Sequence, residues 1–236
     1  MKKLDIIILC GGLGKRIRNK SKGMPKILIE IRKKIPFIEY LLHSLDIKQF
    51  KSVILSIGFR RSKIIQYVRK NPNKNLRFNI EKKPLGTGGA IKNVISKKKI
   101  TNPFLVINGD SFFSFNFKNL LYRKVLQSKK SYIILKKSEK EKRFDQFKIL
   151  KNKLIMLKKN EKGSHLINSG LYLFYKKDFN IRKDQFSIEN DIIPKLISLN
   201  KMNYIKNNSN IFFDIGLPKD LNKFKKYISK IKLKLN

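Results

Sequence analysis

Residues 5–16 read D-I-I-I-L-C-G-G-L-G-K-R, an apolar run that passes directly into a glycine-rich turn. A short apolar run bounded by glycine is typical of a buried strand. Because glycine has no Cβ atom, the backbone N–H groups of such a turn approach phosphate oxygens closely. The stretch therefore predicts a first strand at Asp5–Cys10 and, after it, a phosphate-binding loop that contains Gly11, Gly12 and Gly14.

The spacing within this loop differs from that of two common phosphate-binding motifs. The dinucleotide motif G-x-G-x-x-G, counted from Gly12, requires glycine where the chain has Ile17. The P-loop requires Ser or Thr after its lysine, where the chain has Lys15 followed by Arg16. Together with Lys26, these two residues bring positive charge to the end of the first strand. We expect the three cations to neutralise a triphosphate.

Apolar runs and helical spacings alternate through the first half of the chain. Strands are predicted at Asp5–Cys10, Ser52–Ile57, Leu76–Ile80 and Pro103–Ile107. Helices are predicted at Phe37–Ile47, Arg61–Lys70, Thr87–Ser96 and Phe117–Gln127. This alternation predicts an α/β fold with a mainly parallel central sheet flanked by helices. Right-handed crossovers would place the carboxyl ends of the strands, and the functional loops after them, along one edge.

From Ser131 onward the pattern changes to strands joined by short links. These strands are predicted at Tyr132–Leu135, Phe147–Leu150, Leu154–Leu157 and Leu166–Phe174. One clear helix, Ile188–Leu199, follows before the last segment, and the basic run Lys136–Arg143 is interpreted as a solvated turn. We therefore expect a β-rich second half that covers the first half.

The last segment carries its apolar residues on one face of a predicted helix, with lysines on the rest. That face consists of Leu221, Phe224, Ile228, Ile231 and Leu235. A basic amphipathic helix can lie on an anionic membrane. Packing against the body of the protein or a second subunit is the commoner arrangement for a helix continuous with a folded domain, and we favour it.

Composition excludes several classes of protein. With 236 residues, 41% of them apolar, the chain is long enough to bury one sizeable core. Cys10 has no second cysteine to pair with, and His43 and His165 are too few for a zinc site. The N-terminal apolar run is too short for a secretion signal, and no stretch approaches the length of a membrane span. We expect a soluble, cytoplasmic protein.

The net charge of +40 would attract any polyanion at low salt, which makes nucleic-acid binding a rival interpretation. The lysines are, however, scattered along the whole chain, and no recognition motif accompanies them. We interpret the charge as a general drift of composition toward Lys, Ile and Asn. The sequence therefore predicts no specific nucleic-acid partner.

Five motifs in order resemble those of the nucleotidyltransferases that make nucleotide sugars. The first loop, with Pro25 and Lys26 after it, is similar to the family's G-G-x-G-T-R followed by P-K. The other matching motifs are Glu81–Ala90, Asn108–Asp110, Asn168–Gly170 and Phe213–Pro218. The resemblance implies a Rossmann-like nucleotidyltransferase fold and Mg²⁺-dependent transfer of a nucleotidyl group from a nucleoside triphosphate to a sugar 1-phosphate, with release of pyrophosphate.

The resemblance also implies a role for each matching position. The catalytic residues would be Arg16, Lys26 and Asp110, with Asp110 and Asp214 holding the metal. Nucleotide-binding residues would be Gly11, Gly12, Gly14, Lys15, Glu81, Gly86 and Thr87. Sugar-binding residues would be Asn108, Gly109, Asn168, Gly170 and Glu189. We expect one domain, 1–236, with a nucleotide-binding half at 1–130 and a sugar-binding half with the C-terminal helix at 131–236.

The chemistry of Glu81 constrains the nucleobase, because the resemblance places this side chain against the base. An ionised carboxylate only accepts hydrogen bonds. Guanine offers two adjacent donors, whereas uracil and thymine present one donor flanked by acceptors, so GTP is favoured. The alternative is a surface ion pair between Glu81 and Lys82, Lys83 or a neighbouring arginine. A sugar phosphate is largely dianionic at neutral pH and attacks without a general base, which leaves His43 and His165 as structural residues.

Within the family, the short polar stretch Arg18–Met24 resembles the branch that acts on D-glycero-α-D-manno-heptose 1-phosphate with GTP. Mannose-1-phosphate guanylyltransferase is the next choice. Both activities would supply lipopolysaccharide, capsule or another surface glycan. The sequence is compatible with a homo-oligomer.

The chain departs from the family pattern at two positions. Lys15 replaces the threonine of the first loop, and the family's E-K, which touches sugar and phosphate, falls by spacing on Lys159-Asn160. Lys158, Lys159 or Lys162 would then have to supply the missing cation. The rival from another class is an inactive relative that binds polyanions.

Overall fold

The structure is a computed structural model that describes residues 3–12, 23–72, 76–118, 123–138, 143–158, 161 and 166–231. Thirteen strands occur in this part of the chain: β1 (Ile6–Leu9), β2 (Glu30–Arg32), β3 (Ile35–Pro36), β4 (Val53–Ile57), β5 (Leu76–Ile80), β6 (Phe104–Asn108), β7 (Ser111–Phe113), β8 (Ser131–Lys137), β9 (Gln146–Leu150), β10 (Lys153–Met156), β11 (Leu166–Phe174), β12 (Met202–Asn207) and β13 (Phe212–Asp214). The α-helices are α1 (Phe37–Leu45), α2 (Arg61–Lys70), α3 (Gly86–Lys97), α4 (Arg123–Gln127), α5 (Ile193–Ser198) and α6 (Pro218–Lys230). Shorter helical turns lie at Lys26–Leu28, Ile47–Gln49, Lys176–Phe179 and Ile188–Ile192.

The four strands predicted in the first half form the parallel centre of the sheet, in the order β6-β1-β4-β5. Ile6 and Ile8 of β1 belong to one hydrophobic core and Ile7 belongs to the other. Both faces of β1 are therefore buried, which explains why its sequence is an unbroken apolar run rather than an alternation. The predicted α/β fold with a parallel central sheet is confirmed.

The β-rich second half extends the same sheet instead of covering the first half, so that part of the expectation is wrong. Strand β11 pairs antiparallel with β6, and β8, β9, β10 and β12 continue outward from it. Without β11 the buried strand β6 would have unpaired backbone groups along one edge, which is costly. Strand β12 was not predicted because half of its residues, in the sequence M-N-Y-I-K-N, are polar.

Four helices differ from their predicted bounds, and for α3, predicted at Thr87–Ser96, the difference is one residue at each end. Helix α1 ends at Leu45, two residues early, because Asp46 has the left-handed φ of 44° and starts a separate turn. The predicted helix Ile188–Leu199 begins with a π-helical turn before α5, next to Pro194, whose missing N–H disrupts the regular α-helical ladder. Only Arg123–Gln127 of the predicted Phe117–Gln127 is a described α-helix, since residues 119–122 lie outside the described part.

Helix α6 packs its apolar face on the protein, as predicted. Leu221, Phe224 and Ile228 are buried. The ring of Phe224 contacts four other rings, those of Phe37, Tyr40, Phe112 and Phe213. These three residues are thus not available to a membrane, and Leu235 lies outside the described residues. No helix in the described part of the chain combines the length and apolar character needed to cross a bilayer.

A small ribbon joins the end of the chain to the end of β6. Strand β13 pairs antiparallel with β7, which places Asp214 opposite Ser111, immediately after Asp110. The N–H of Ile215 donates to the carbonyl of Asp110 at 2.9 Å. Two motifs that are far apart in sequence are therefore held side by side at the carboxyl end of β6.

Candidate active site

Two adjoining cavities open at the carboxyl ends of the parallel strands. The larger has a volume of about 560 Å³ and the smaller about 140 Å³. Asn108 and Asp110 line both of them, so the two cavities meet at the end of β6. The larger cavity is lined entirely by residues before position 111, among them Gly11, Gly12, Glu81, Gly86 and Thr87. The smaller is lined by Asn108, Asp110, Ser111, Arg143, Phe144, Asp145, Asn168, Gly170, Glu189 and Asp214.

Glu81 is a buried carboxylate in the wall of the larger cavity, with 8% of the residue exposed. The Ser56 hydroxyl donates to its Oε1 at 3.0 Å, and the backbone of Leu85 also hydrogen-bonds the carboxylate. Burial raises the pKa of Glu81, and these two hydrogen bonds oppose that rise. Glu81 is buried, and among the described residues it forms no ion pair with Lys82, Lys83 or an arginine, so the surface ion-pair interpretation is wrong.

The glycine-rich second loop is held against the second half of the chain. The N–H groups of Gly88 and Gly89 donate to the Phe186 carbonyl at 3.0 and 3.2 Å. The Phe186 carbonyl thus lies at the N-terminus of α3. Gly86 has a φ of +72°, and a Cβ atom there would lie 2.5 Å from the Phe186 carbonyl oxygen. Gly86 lines the larger cavity, but its glycine identity is required by this close packing.

A second link between the halves runs through Thr87. Its hydroxyl donates to Glu189 Oε2 at 2.7 Å and accepts from the N–H of Ile188 at 2.8 Å. The hydroxyl of Ser187 also donates to Glu189 Oε2, at 2.7 Å. Glu189, predicted to bind sugar, is thus oriented by two hydroxyls and lies on the wall of the smaller cavity.

Asp110 and Asp214 meet Lys26 around Gly216. Lys26 Nζ donates to Asp110 Oδ2 at 2.7 Å, and the N–H of Gly216 donates to Asp214 Oδ1 at 2.7 Å. A Cβ atom built on Gly216 would lie 2.8 Å from Asp214 Oδ1, 3.4 Å from Lys26 Nζ and 3.5 Å from Asp110 Oδ2. Any side chain at position 216 would therefore fill the space that these groups share.

The carboxylate pair has the chemistry of a divalent-cation site. Burial, and after it the negative charge of the nearby Asp110, raises the pKa of Asp214. Among the described residues no group of three or more His, Cys, Asp or Glu side chains forms a metal cage. Mg²⁺ is commonly held by one or two carboxylates with water and substrate phosphates as its other ligands, and this pair fits that pattern.

The side-chain oxygen of Asn108 is buried and has no hydrogen-bond partner in the described structure. It lies where the two cavities meet, and buried polar atoms normally have partners. Gly170 has a φ of +76°, and a Cβ atom there would lie 2.8 Å from Asn108 Nδ2. Gly109 has a different role: its Cβ would lie 2.6 Å from the Leu9 carbonyl oxygen, so it permits the close approach of β1.

Asn168 is tied into the protein at both ends of its amide. Its Nδ2 donates to the Tyr172 hydroxyl at 2.7 Å, and its Oδ1 accepts from the N–H of Gly170 at 2.9 Å. Tyr172, which the motifs did not single out, is fully buried. Burial, and next the charge of Glu189, raises the pKa of Tyr172 well above its usual range.

Four residues of the smaller cavity were not predicted from the sequence, and two of them, Arg143 and Asp145, are charged; the others are Ser111 and Phe144. Arg143 ends the basic run that was interpreted as a solvated turn, and this interpretation is wrong for Arg143. Its Nη2 lies 2.9 Å from Asp220 Oδ2 and 3.7 Å from Asp214 Oδ2. No local signal distinguishes Arg143 from its basic neighbours, because its acidic partners come from the other end of the chain.

Several predicted residues lie outside the described part of the chain. They are Gly14, Lys15 and Arg16 of the first loop, the departures at Lys159 and Asn160 with Lys162, and His165.

Comparison with known proteins supports the resemblance seen in the motifs. The model of the Nucleotidyl transferase family matches residues 5–230. D-glycero-α-D-manno-heptose 1-phosphate guanylyltransferase of Campylobacter jejuni is 33% identical over 222 residues, 92% of this chain and 96% of that protein. The protein with the same description from Aneurinibacillus thermoaerophilus is 33% identical over 229 residues, 94% of this chain and 97% of that one. The crystal structure of HddC from Yersinia pseudotuberculosis complexed with GMP-PN superposes with a TM-score of 0.80 at 31% identity, covering 95% of this chain and 99% of HddC.

Proposed function

Since this chain belongs to the nucleotidyl transferase family, we propose that it transfers a guanylyl group from GTP to D-glycero-α-D-manno-heptose 1-phosphate and releases pyrophosphate. The observation that carries this proposal is the position of the Asp110–Asp214 pair at the junction of a nucleotide-sized cavity and a smaller one. The bond that forms and the bond that breaks both lie at the α-phosphate, which must sit between the two substrates. The two heptose enzymes among the relatives support the choice of sugar.

Glu81 supports guanine as the nucleobase. It lies in the wall of the larger cavity, and Ser56 and the Leu85 backbone orient its carboxylate. The ring N–H and amino group of guanine are adjacent donors that suit two carboxylate oxygens. The buried position strengthens such a contact, because little water competes for the carboxylate.

Asp110 and Asp214 would hold the Mg²⁺ ion that the proposed reaction requires. A bound Mg²⁺ would neutralise the phosphate charge that develops as pyrophosphate leaves. Lys26 pairs with Asp110 beside the same space, and its ammonium group would face the reacting phosphates. We assign Arg16 and Lys15 to the triphosphate on the strength of their sequence motif.

The chain's own residues act by alignment and charge. The heptose 1-phosphate dianion attacks the α-phosphate directly, so no side chain has to remove a proton. Holding the two anions in line can supply on the order of 7–11 kcal/mol of the barrier. The nucleotide-binding half at 1–130 would hold GTP in the larger cavity. The sugar-binding half at 131–236 would supply most of the smaller one, with Asn108 Oδ1 accepting from a substrate hydroxyl.

The test is pyrophosphate release with Mg²⁺, using GTP, UTP, dTTP, CTP and ATP against heptose, mannose and glucose 1-phosphates. We expect release with GTP and heptose 1-phosphate, and its loss in Asp110→Asn. Asp184→Asn is the matched control, because it removes the same charge from an exposed carboxylate paired with Lys92. Preference for mannose 1-phosphate would make the chain a mannose-1-phosphate guanylyltransferase. If folded protein released no pyrophosphate with any pair of nucleotide and sugar 1-phosphate, the result would favour the inactive polyanion-binding relative.

A further inference from the structure

The smaller cavity carries an excess of negative charge. Its walls include the carboxylates of Asp110, Asp145, Glu189 and Asp214. With Asp110 and Asp214 assigned to a Mg²⁺ ion, Asp145 and Glu189 would still repel a sugar phosphate dianion that enters this space, and the repulsion is strong where water is scarce. Among the described residues that line this cavity, Arg143 is the one that carries a positive charge.

The guanidinium group of Arg143 is oriented from two sides. Asp220 Oδ2 lies 2.9 Å from Nη2, a short charge-assisted contact. The guanidinium carbon lies 4.6 Å from the centre of the Phe144 ring, a cation–π arrangement. Asp214 Oδ2 is farther away, at 3.7 Å from the same nitrogen. The contact with Asp220 is therefore the shorter of the two ion pairs.

Asp220 is a rigid anchor for this contact. It lies in the first turn of α6, where its N–H donates to the Leu217 carbonyl at 3.1 Å. The helix is fixed to the core by the fully buried Phe224. The Asp220 side chain is 13% exposed, and its other oxygen lies 3.3 Å from the exposed Lys223. A planar guanidinium carries its donors in a fork that can engage a carboxylate and a phosphate together.

We propose that Arg143 binds the phosphate group of the sugar 1-phosphate and that Asp220 is the residue that positions Arg143 for this contact. The inference rests on the proposed function and deepens it. Arg143 would supply the positive charge that the family pattern places at position 160, where this chain has Asn160. Lys158, another candidate for that cation, is exposed, whereas Arg143 lies in the cavity wall.

The test is calorimetric titration with D-glycero-α-D-manno-heptose 1-phosphate and with the unphosphorylated heptose, in the absence of GTP so that no turnover occurs. We expect wild-type protein to prefer the phosphorylated sugar. Arg143→Gln should weaken binding of the phosphorylated sugar on the order of 10- to 100-fold, as for loss of a charged hydrogen bond, and leave binding of the free sugar unchanged. Arg143→Lys should restore part of the loss, because it keeps the charge without the fork.

Asp220 is tested by a readout that a general loss of structure would not produce. Asp220→Asn should raise KM for the sugar phosphate with KM for GTP unchanged. The double variant with Arg143→Gln should be no worse than Arg143→Gln alone, because the two residues act as one unit. Lys223→Gln is the matched control, since it removes the exposed partner of Asp220 and should change neither constant.

Three outcomes would overturn the proposal: no preference of wild-type protein for the phosphorylated sugar, equal weakening of both ligands by Arg143→Gln, or additive effects in the double variant. Failure of the proposed function is a separate result. It would appear as wild-type protein that binds the sugar phosphate through Arg143 yet releases no pyrophosphate with any nucleotide.

Discussion

The carboxylate of Glu81 occupies the space that a side chain at position 11 would need. A Cβ atom built on Gly11 would lie 2.5 Å from Glu81 Oε1 and 3.0 Å from Cδ. The first and second loops therefore meet at this point. Glycine at position 11 is required by the position of a buried carboxylate, in addition to any approach of phosphate to the loop.

Gly11→Ala is expected to displace Glu81 and to reduce discrimination among nucleobases. A Cβ atom 2.5 Å from Oε1 is closer than real Cβ atoms essentially ever come, so we expect the carboxylate to shift from the position in which Ser56 holds it. The measurement is the ratio of kcat/KM for GTP to that for ATP, UTP and dTTP. Gly12→Ala is the comparison, because nothing lies within 4 Å of its added Cβ, and it should keep the wild-type ratio whatever its effect on rate. Equal ratios in the two variants would contradict the expectation.

Glu81→Gln is expected to lower kcat/KM for GTP by about tenfold or more, the effect of replacing one charged acceptor with a neutral amide. In the wild type, burial raises the pKa of Glu81, so the carboxylate takes up a proton at a higher pH than an ordinary glutamate. The protonated acid is a poorer acceptor, and kcat/KM for GTP should therefore fall as the pH falls through this raised pKa. The variant should not show this fall in kcat/KM at low pH. If Glu81→Gln shows the same fall as the wild type, another group is responsible for it.

Thr87→Val is expected to reduce the free energy of unfolding by about 1–3 kcal/mol. The substitution keeps the volume but leaves the N–H of Ile188, a fully buried residue, without the acceptor that it has at 2.8 Å. It also frees Glu189 from one of its two hydroxyl donors. Urea denaturation would measure the loss. Thr87→Ser keeps the hydroxyl and should stay close to wild type, so similar losses in both variants would point to packing instead.

Phe224→Ala is expected to reduce the free energy of unfolding by about 3–5 kcal/mol, as for other buried aromatic residues. Its ring is fully buried and contacts Phe37 with centroids 5.3 Å apart and Phe112 at 4.8 Å. Lys225→Ala, at the next and exposed position of α6, should change stability by no more than about 0.5 kcal/mol. Thermal or urea unfolding would measure both. A loss below about 1 kcal/mol for Phe224→Ala would mean that α6 is not docked as described.

Much of the fold was readable from the sequence because its signals are local. Strand β11 was predicted with its observed bounds, Leu166–Phe174, since its run is long and has apolar residues on both sides of Asn168-Ser169-Gly170. Strand β12 was missed because it owes its conformation to the parallel pairing with β8, through Met202 and Ser131 among others. Tertiary pairing overrode a weak intrinsic preference there.

The sequence by itself determined where the parallel strands and the glycine-rich loops lie along the chain and which acidic residues are candidates for the site. It could do so because periodicity and motif spacing are properties of neighbouring residues. Only the tertiary structure decided that Asp214 lies beside Asp110, through the pairing of β13 with β7. It likewise decided that Arg143 meets Asp220 at 2.9 Å, although nothing near Arg143 in the chain distinguishes it from other basic residues. The physical reason is that contacts between distant segments depend on how buried strands and helices pack, and that packing is not encoded in any short stretch of sequence.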